Sequence, residues 1–410
     1  MKKINIWIGF TILLLIPFYF VRFKVLEIPT NVFEVGVLLY FLATILSTKK
    51  YKKIDTKTIV FFIAFLLVVL LSGLLFNNIE KGLGITKGWF IVPIIFSWLI
   101  YQNFDKKILH IISIAFLINV VVVSLWAIAQ KYGFIELVGY QKGVEDFKIY
   151  FTEGRYFGPF ESPNYLSMFL APASFMALPI FDKFNNKIIK ALACILFLVL
   201  IVYTTYLSGS RAGLIALILS LVVWINYRYI NTQIFYKRRR FFTLLFVALF
   251  LIVNAAFLYF FIKMDNASGG DIVRQQIYKY SFEVLQSNPL WGTGLGNFQQ
   301  AIGIIGINNT SFIEFGYQYA LHPHNLLLAV WINLGLAGLF FFLCSLVQFF
   351  KNVFLTNDPF RAALVGAMVA TIIHGIFDTT YFKNDLAAIF WLIFAMSYII
   401  RSQSSHEKTV

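Results

Sequence analysis

An all-α, polytopic membrane helical bundle of about twelve transmembrane helices, with a large extracytoplasmic helical loop between the ninth and tenth, is the fold class this sequence predicts. Three observations predict it. Hydrophobic residues make up 60% of the chain and charged residues 13%, whereas a soluble domain is about half apolar and a quarter charged. Long uncharged runs recur along the whole length, and ~20 apolar residues suffice to cross a bilayer. Basic clusters fall in every second loop, as the positive-inside rule requires of a multi-pass protein. A membrane β-barrel would instead show alternating segments of ~10 residues.

The runs lie at about 4–21, 31–47, 58–76, 85–101, 108–130, 163–181, 188–206, 211–230, 241–262, 325–350, 360–378 and 385–400. The first follows Met1-Lys2-Lys3, as a signal peptide would. It ends in Tyr19-Phe20-Val21-Arg22 without a small-residue cleavage site, so it reads as a retained span. Cys194 and Cys344 sit inside apolar runs, which suits packing rather than a disulfide or a metal.

Lys49-Lys50-Tyr51-Lys52-Lys53, Lys106-Lys107, Lys183 with Lys187, and Lys237-Arg238-Arg239-Arg240 all fall on one side. That side is cytoplasmic, and both termini share it. The net charge of +15 is therefore a topology signal and not a nucleic-acid footprint. Residues 1–410 read as a single integral membrane domain. Two external loops are long, about 131–162 and 263–324, and loops beyond ~12–15 residues are usually functional or disordered. The second carries a helix-like stretch from Asp271 to about Ser287. Its residues Ile272, Ile277, Tyr280 and Val284 recur at three- and four-residue steps, as on a surface helix packed over the bundle mouth.

Set apart from the cytoplasmic bases, a small basic group remains at external span ends: Lys87, Arg155, Arg211, Arg274 and His324. Arg211 follows Ser208-Gly209-Ser210 and opens an apolar helix. Two readings stand: an interfacial arginine snorkelling to headgroups, or a phosphate ligand whose planar fork matches phosphate oxygens beside a helix start. Arg274 is either a solvated charge or a second cation of that kind. In "GRYFGPFESPNYLSMFLAP", residues 154–172, Ser162 and Pro163 fit the N-cap and first turn of the next helix. A helix entry does not account for Arg155 or Asn164. The glycines of "SNPLWGTGLGNF" do not fit a dinucleotide loop and read as turn residues.

His322-Pro323-His324-Asn325 opens the tenth run. A metal pair is one reading, but no external cysteine or clustered carboxylate completes it, so no metal is expected. His324 at the helix start suits either a cap or a general base near neutral pH. Asn325 follows it at the same mouth. Pro323 lets the two imidazoles point apart. His374 and Asp378, four apart, would share a helix face, as a structural pair or as accessory site residues.

"SGSRAG", the external helix with Arg274 running into "NPLWGTGLGNF", and "HPHNLLLAVWINLG" together resemble the O-antigen ligase and polymerase superfamily. His324 and Gly335 match its histidine-to-glycine spacing, and "GRYFGPFESPNYLS" is similar to its Gly-x-Phe and Pro-Asn-Tyr motif. The resemblance covers about residues 60–400. It implies a glycosyltransferase of the bacterial cytoplasmic membrane that acts on the extracytoplasmic face without a metal or other cofactor. The donor would be an undecaprenyl-diphosphate-linked glycan, and the acceptor a hydroxyl on lipid A core, glycan or protein. In that frame His324, Arg211 and Arg274 would be catalytic, and Arg155, Asn164, Lys87, Asn325, His374 and Asp378 would line the substrate. Ligase, polymerase and protein O-oligosaccharyltransferase all remain open. A lipid-linked glycan flippase is the reading from another class; it would spread charges along a path through the membrane, and these cluster at one face.

Overall fold

The computed structural model describes residues 2–25, 27–136, 154–229, 238–264, 270–356 and 358–404. Residues 137–153 of the first long loop, 265–269 of the second, and Lys237 of the basic cluster lie outside them. The chain is an all-α, multi-pass membrane protein. Among the described residues, 9 helices are long and apolar enough to cross a bilayer, and three shorter apolar helices, Lys3–Phe18, Val32–Ser47 and Phe360–His374, accompany them. Each run read from the sequence thus contains one apolar helix.

The helices are α1 (Lys2–Leu15), α2 (Val32–Ser47), α3 (Thr56–Leu74), α4 (Ile79–Asn103), α5 (Leu109–Lys131), α6 (Pro163–Ala177) and α7 (Lys187–Leu207). There follow α8 (Arg211–Tyr229), α9 (Arg239–Ile262), α10 (Gly270–Ser287), α11 (Phe298–Ile305), α12 (Leu326–Phe354), α13 (Phe360–His374) and α14 (Asn384–Ser404). Their starts are set locally by side-chain caps. Asn31, Asp55, Ser162, Asn186 and Asn325 each accept a bond from a backbone N–H of the first turn. Ser162 with Pro163 in the first turn is the entry read from the sequence.

Burial separates an inner set of helices from an outer one. The α14 span is 89% buried and the α6 span 78%, against 22% for the α3, α7 and α9 spans. On the outer helices apolar side chains such as Leu196 and Phe260 point away from the protein, where only lipid can cover them. Inside the bundle, short polar links replace a hydrophobic driving force. Asn103 Nδ2 donates to Thr44 Oγ1 at 3.0 Å, and Asn352 Nδ2 to Ser397 Oγ at 3.1 Å. Such interhelical bonds contribute ~0.6 kcal/mol on average in a bilayer.

Three local features depart from a plain run of helices. A two-stranded antiparallel hairpin, Arg22–Val25 with Ile28–Asn31, joins α1 to α2. Thr86–Ile91 inside α4 is wound as a π-helix. The third is a break in α12 at Gly335, which has φ 68° and ψ −172°. The break frees the Leu336 N–H to donate to the Leu290 carbonyl at 2.9 Å, and a Cβ at Gly335 would overlap that carbonyl. Only glycine takes this backbone without strain. Residues 336–354 alone rise ~28 Å, close to the ~30 Å hydrocarbon thickness. Residues 326–334 thus form a separate arm at the mouth of the bundle, with His324 at its head.

Candidate active site

Residues from two other elements meet Asp378, whose side chain is only 3% exposed. Helix α13 ends at His374, and Asp378 lies in the turn beyond it. Its Oδ1 stands 3.2 Å from His324 Nδ1, and its Oδ2 accepts from Asn164 Nδ2 at 3.1 Å. Asn164, in the first turn of α6, in turn accepts from Arg155 Nη2 at 3.0 Å. Arg155 Nε donates to the Ser208 carbonyl at 2.8 Å. The result is a chain from Arg155 through Asn164 and Asp378 to His324. It links positions up to 214 residues apart, and it gives Arg155 and Asn164 the role that a helix entry left open.

The Ser208-Gly209-Ser210 turn is shaped for this contact. Gly209 has φ 62°, and a Cβ there would come within 3.0 Å of Arg155 Nε. The bare glycine lets the arginine stem lie across the turn. Ser210 Oγ accepts from Gly213 N at 3.2 Å and so starts α8 at Arg211.

His324 itself has φ 49°, a left-handed backbone that costs a non-glycine residue ~1–3 kcal/mol. Its neighbours hold it there. Tyr278 donates its hydroxyl to the His324 carbonyl at 2.7 Å, and Leu326 N donates to the Gly375 carbonyl at 2.7 Å. Tyr278 lies four residues after Arg274 on α10, so the two share a helix face over the site. His324 Nδ1 is engaged by Asp378, and its Nε2 has no protein partner among the described residues.

The three arginines gather on one side. Burial pushes the Arg155 guanidinium below its usual range, and the charges of Arg274 and then Arg211 push it further. Arg211 is 89% exposed, with Asp271 at 3.9 Å as its ion partner. Three guanidinium groups close enough to repel one another form a site that an anion would relieve.

His322 is drawn into the same cluster. Its ring centroid lies 4.2 Å from that of His324, so Pro323 does not point the imidazoles apart. The left-handed turn at His324 brings its ring back beside its neighbour's. His322 Nε2 meets the Tyr165 hydroxyl at 3.2 Å, and Nδ1 stands 3.7 Å from Asp378 Oδ1. Burial, and then the neighbouring His324, hold His322 below the ordinary imidazole range against the pull of Asp378. His322, His324 and Asp378 place their ligand atoms within 4.8 Å of one another, so a carboxylate does complete a group able to hold a metal ion.

Three other residues read from the sequence take no part in this hydrogen-bond chain. Lys87 pairs with Glu34 at 2.8 Å and donates to the Pro29 carbonyl. Asn325 is fully buried. Its side chain caps α12, bonding Leu328 N at 3.0 Å, and reaches Asn254 and the Ile376 carbonyl; no group remains for a substrate. His374 does not pair with Asp378, and neither ring nitrogen has a partner among the described residues. Asp378 N still donates to the His374 carbonyl at 3.1 Å, but the carboxylate is turned to His324 and Asn164 instead.

Reasoning from the sequence gave no site role to Tyr165, Tyr278, Glu161 or Lys383. Lys383 stands 4.1 Å from the Tyr165 ring centroid and pairs with Glu161, which Arg22 also meets at 2.7 Å. A complete inventory of bases at the span ends would have included Lys383.

Arg211, Arg274, His324 and Gly335 all fall in one continuous stretch of the chain. Residues 196–343 match the O-antigen ligase family. The resemblance drawn from the motifs is met by this match. A Rickettsia felis (strain ATCC VR-1525 / URRWXCal2) protein, provisionally named a polysaccharide ligase, is 23% identical over 131 residues, 30% of this chain and 31% of that protein. The aligned stretch is thus under a third of the length of either. Asn164, Arg155 and Asp378 lie outside the O-antigen ligase match, and the hydrogen-bond chain ties them to residues inside it.

Proposed function

We propose that this protein transfers a glycan from an undecaprenyl-diphosphate carrier to a hydroxyl acceptor at the extracytoplasmic face, as a ligase or polymerase of a surface polysaccharide. The observation that carries the reading is the His324–Asp378 pair beside three converging arginines. The O-antigen ligase match and the likeness to a protein named for polysaccharide ligation support it.

In this reading Asp378 accepts the His324 Nδ1–H, which fixes the tautomer and leaves Nε2 as the proton acceptor. Nε2 takes the proton of the acceptor hydroxyl as its oxygen attacks the anomeric carbon. The bond from that carbon to the diphosphate oxygen breaks, and undecaprenyl diphosphate leaves with the electron pair. Arg211 and Arg274 reach the developing charge, with Arg155 adding to the field. Charge-assisted bonds of this kind are about twice as strong as neutral ones, and guanidinium can make them in pairs. Asn164 and Arg155 position Asp378. In this reading the chain crosses the cytoplasmic membrane twelve times with both termini in the cytoplasm, which sets this machinery on the outer side; the clustering of basic residues in alternate loops supports it.

The test is reconstitution of the purified protein in liposomes with lipid-linked glycan extracted from its host. Transfer is expected to release one undecaprenyl diphosphate for each glycan moved. Glycan crossing the bilayer still attached to its carrier, with no diphosphate released, would mean a flippase instead.

A further inference from the structure

We infer that a cleft between the α3–α4 turn and the segment joining α10 to α11 is a subsite for an uncharged stretch of the acceptor glycan. The inference deepens the transfer reading above and rests on it. The cleft measures about 320 Å³, within the ~300–1,000 Å³ of small-molecule sites. Asn77, Asn288 and Gln300 stand exposed around it, and their side-chain amides make no hydrogen bond among the described residues. An amide offers two donors and an acceptor oxygen, and a sugar hydroxyl is both donor and acceptor. Phe76, Val284 and Ile304 supply an apolar wall for the C–H face of a sugar ring. The Phe76 ring lies directly against Gly294, which a Cβ would push away.

The lining contains no charged residue. A phosphate, whether on a lipid headgroup or on the donor, would call for a cation there. An uncharged ligand is the one this chemistry suits.

Position assigns the acceptor side. Along α10, Arg274 comes first, Tyr278 with its bond to His324 comes next, and Val284 and Ser287 reach the cleft last. The catalytic histidine therefore has the arginines toward one end of the helix and the cleft toward the other. The arm of α12 gives a second measure. Thr293 N donates to the Ile332 carbonyl at 2.7 Å, and residues 326 to 332 rise ~9 Å along the helix that begins just after His324. An oligosaccharide bridges such a distance and a single sugar does not. The glycine-rich "GTGLGNF", which is not a nucleotide loop, is in this view the frame that holds the cleft against α12.

The experiment uses the full-length protein in nanodiscs and two readouts. The probe is a neutral oligosaccharide released by mild acid from the host's finished surface polysaccharide, the glycan to which transfer adds. Saturation-transfer NMR is expected to show binding to the wild type, weakened at least tenfold by Asn288→Leu combined with Gln300→Leu. Both residues are exposed, so folding is retained, and each single substitution serves as a second variant. In transfer assays the combined variant is expected to raise the acceptor KM at least tenfold with kcat unchanged. Equal binding by both proteins, no binding by the wild type, or displacement of the probe by glycerol phosphate would overturn the subsite. If the variant loses probe binding while even the wild type releases no undecaprenyl diphosphate, the cleft still binds glycan, but the transfer reading falls and the acceptor role is overturned with it.

Discussion

His324 Nδ1 and Asp378 Oδ1 stand 3.2 Å apart, brought together from the head of the α12 arm and the turn that follows α13. The pair gives the imidazole an orientation, and Asn164 on the other carboxylate oxygen gives the carboxylate one. Asp378→Asn keeps the shape but removes the charge and offers an amide that can reverse the bond to Nδ1. Transfer should fall by ~10-fold to 10²-fold, less than removing the base itself, which typically costs ~10²–10⁴-fold. Rates from purified lipid-linked donor, at matched protein levels, decide it; an unchanged rate would make the pair structural.

Arg211→Lys should be damaging although it keeps the charge. A guanidinium makes paired bonds to phosphate oxygens and an ammonium does not. A snorkelling anchor would accept lysine. Full transfer activity in the lysine variant would return Arg211, 89% exposed, to the role of a headgroup contact.

How much of this was legible in the sequence can be judged residue by residue. Each of the twelve apolar runs holds a helix, because the length needed to span lipid leaves a coarse signal. Arg211, Arg274 and His324 were legible as polar groups at the mouth of an apolar bundle. The link between Asn164 and Asp378 was not, since nothing local encodes a contact across 214 residues. The spacing of His374 and Asp378 misled because the carboxylate is taken by His324 and Asn164, partners far away in the sequence. The closeness of His322 to His324 depends on a positive φ at a non-glycine residue, which composition does not announce.

His322 gives stability a pH dependence. Its folded-state pKa is depressed, chiefly by burial, so the folded form is neutral where the unfolded chain, near 6.5, already binds a proton. Between those values the unfolded state holds more protons, and stability rises with pH. The contribution is present above ~6.5 and is lost as pH falls toward the folded value. Thermal melts in detergent should show a shallower acid slope for His322→Phe than for wild type. Parallel slopes would mean that His322 titrates normally.

Gly335→Ala should destabilise the protein by at least ~1–3 kcal/mol, since φ 68° is strained for alanine and its Cβ would overlap the Leu290 carbonyl. A melting temperature equal to that of wild type would show that the break in α12 relaxes freely.

The metal-free reading is tested by chelation. The His322, His324 and Asp378 group has ligand atoms close enough to bind an ion. Transfer is expected to survive EDTA and subsequent dialysis unchanged. Loss on chelation with recovery on adding back a divalent ion would reassign the two histidines as ligands.

The central claim is that His324, and not its neighbour, takes the proton. The most direct measurement is the transfer rate of His324→Ala beside that of His322→Ala, with donor binding measured on both. His324→Ala is expected to lose at least ~10²-fold in rate while retaining donor binding through the arginines, and His322→Ala to lose less. A larger loss in His322→Ala, or undiminished transfer in His324→Ala, would contradict it.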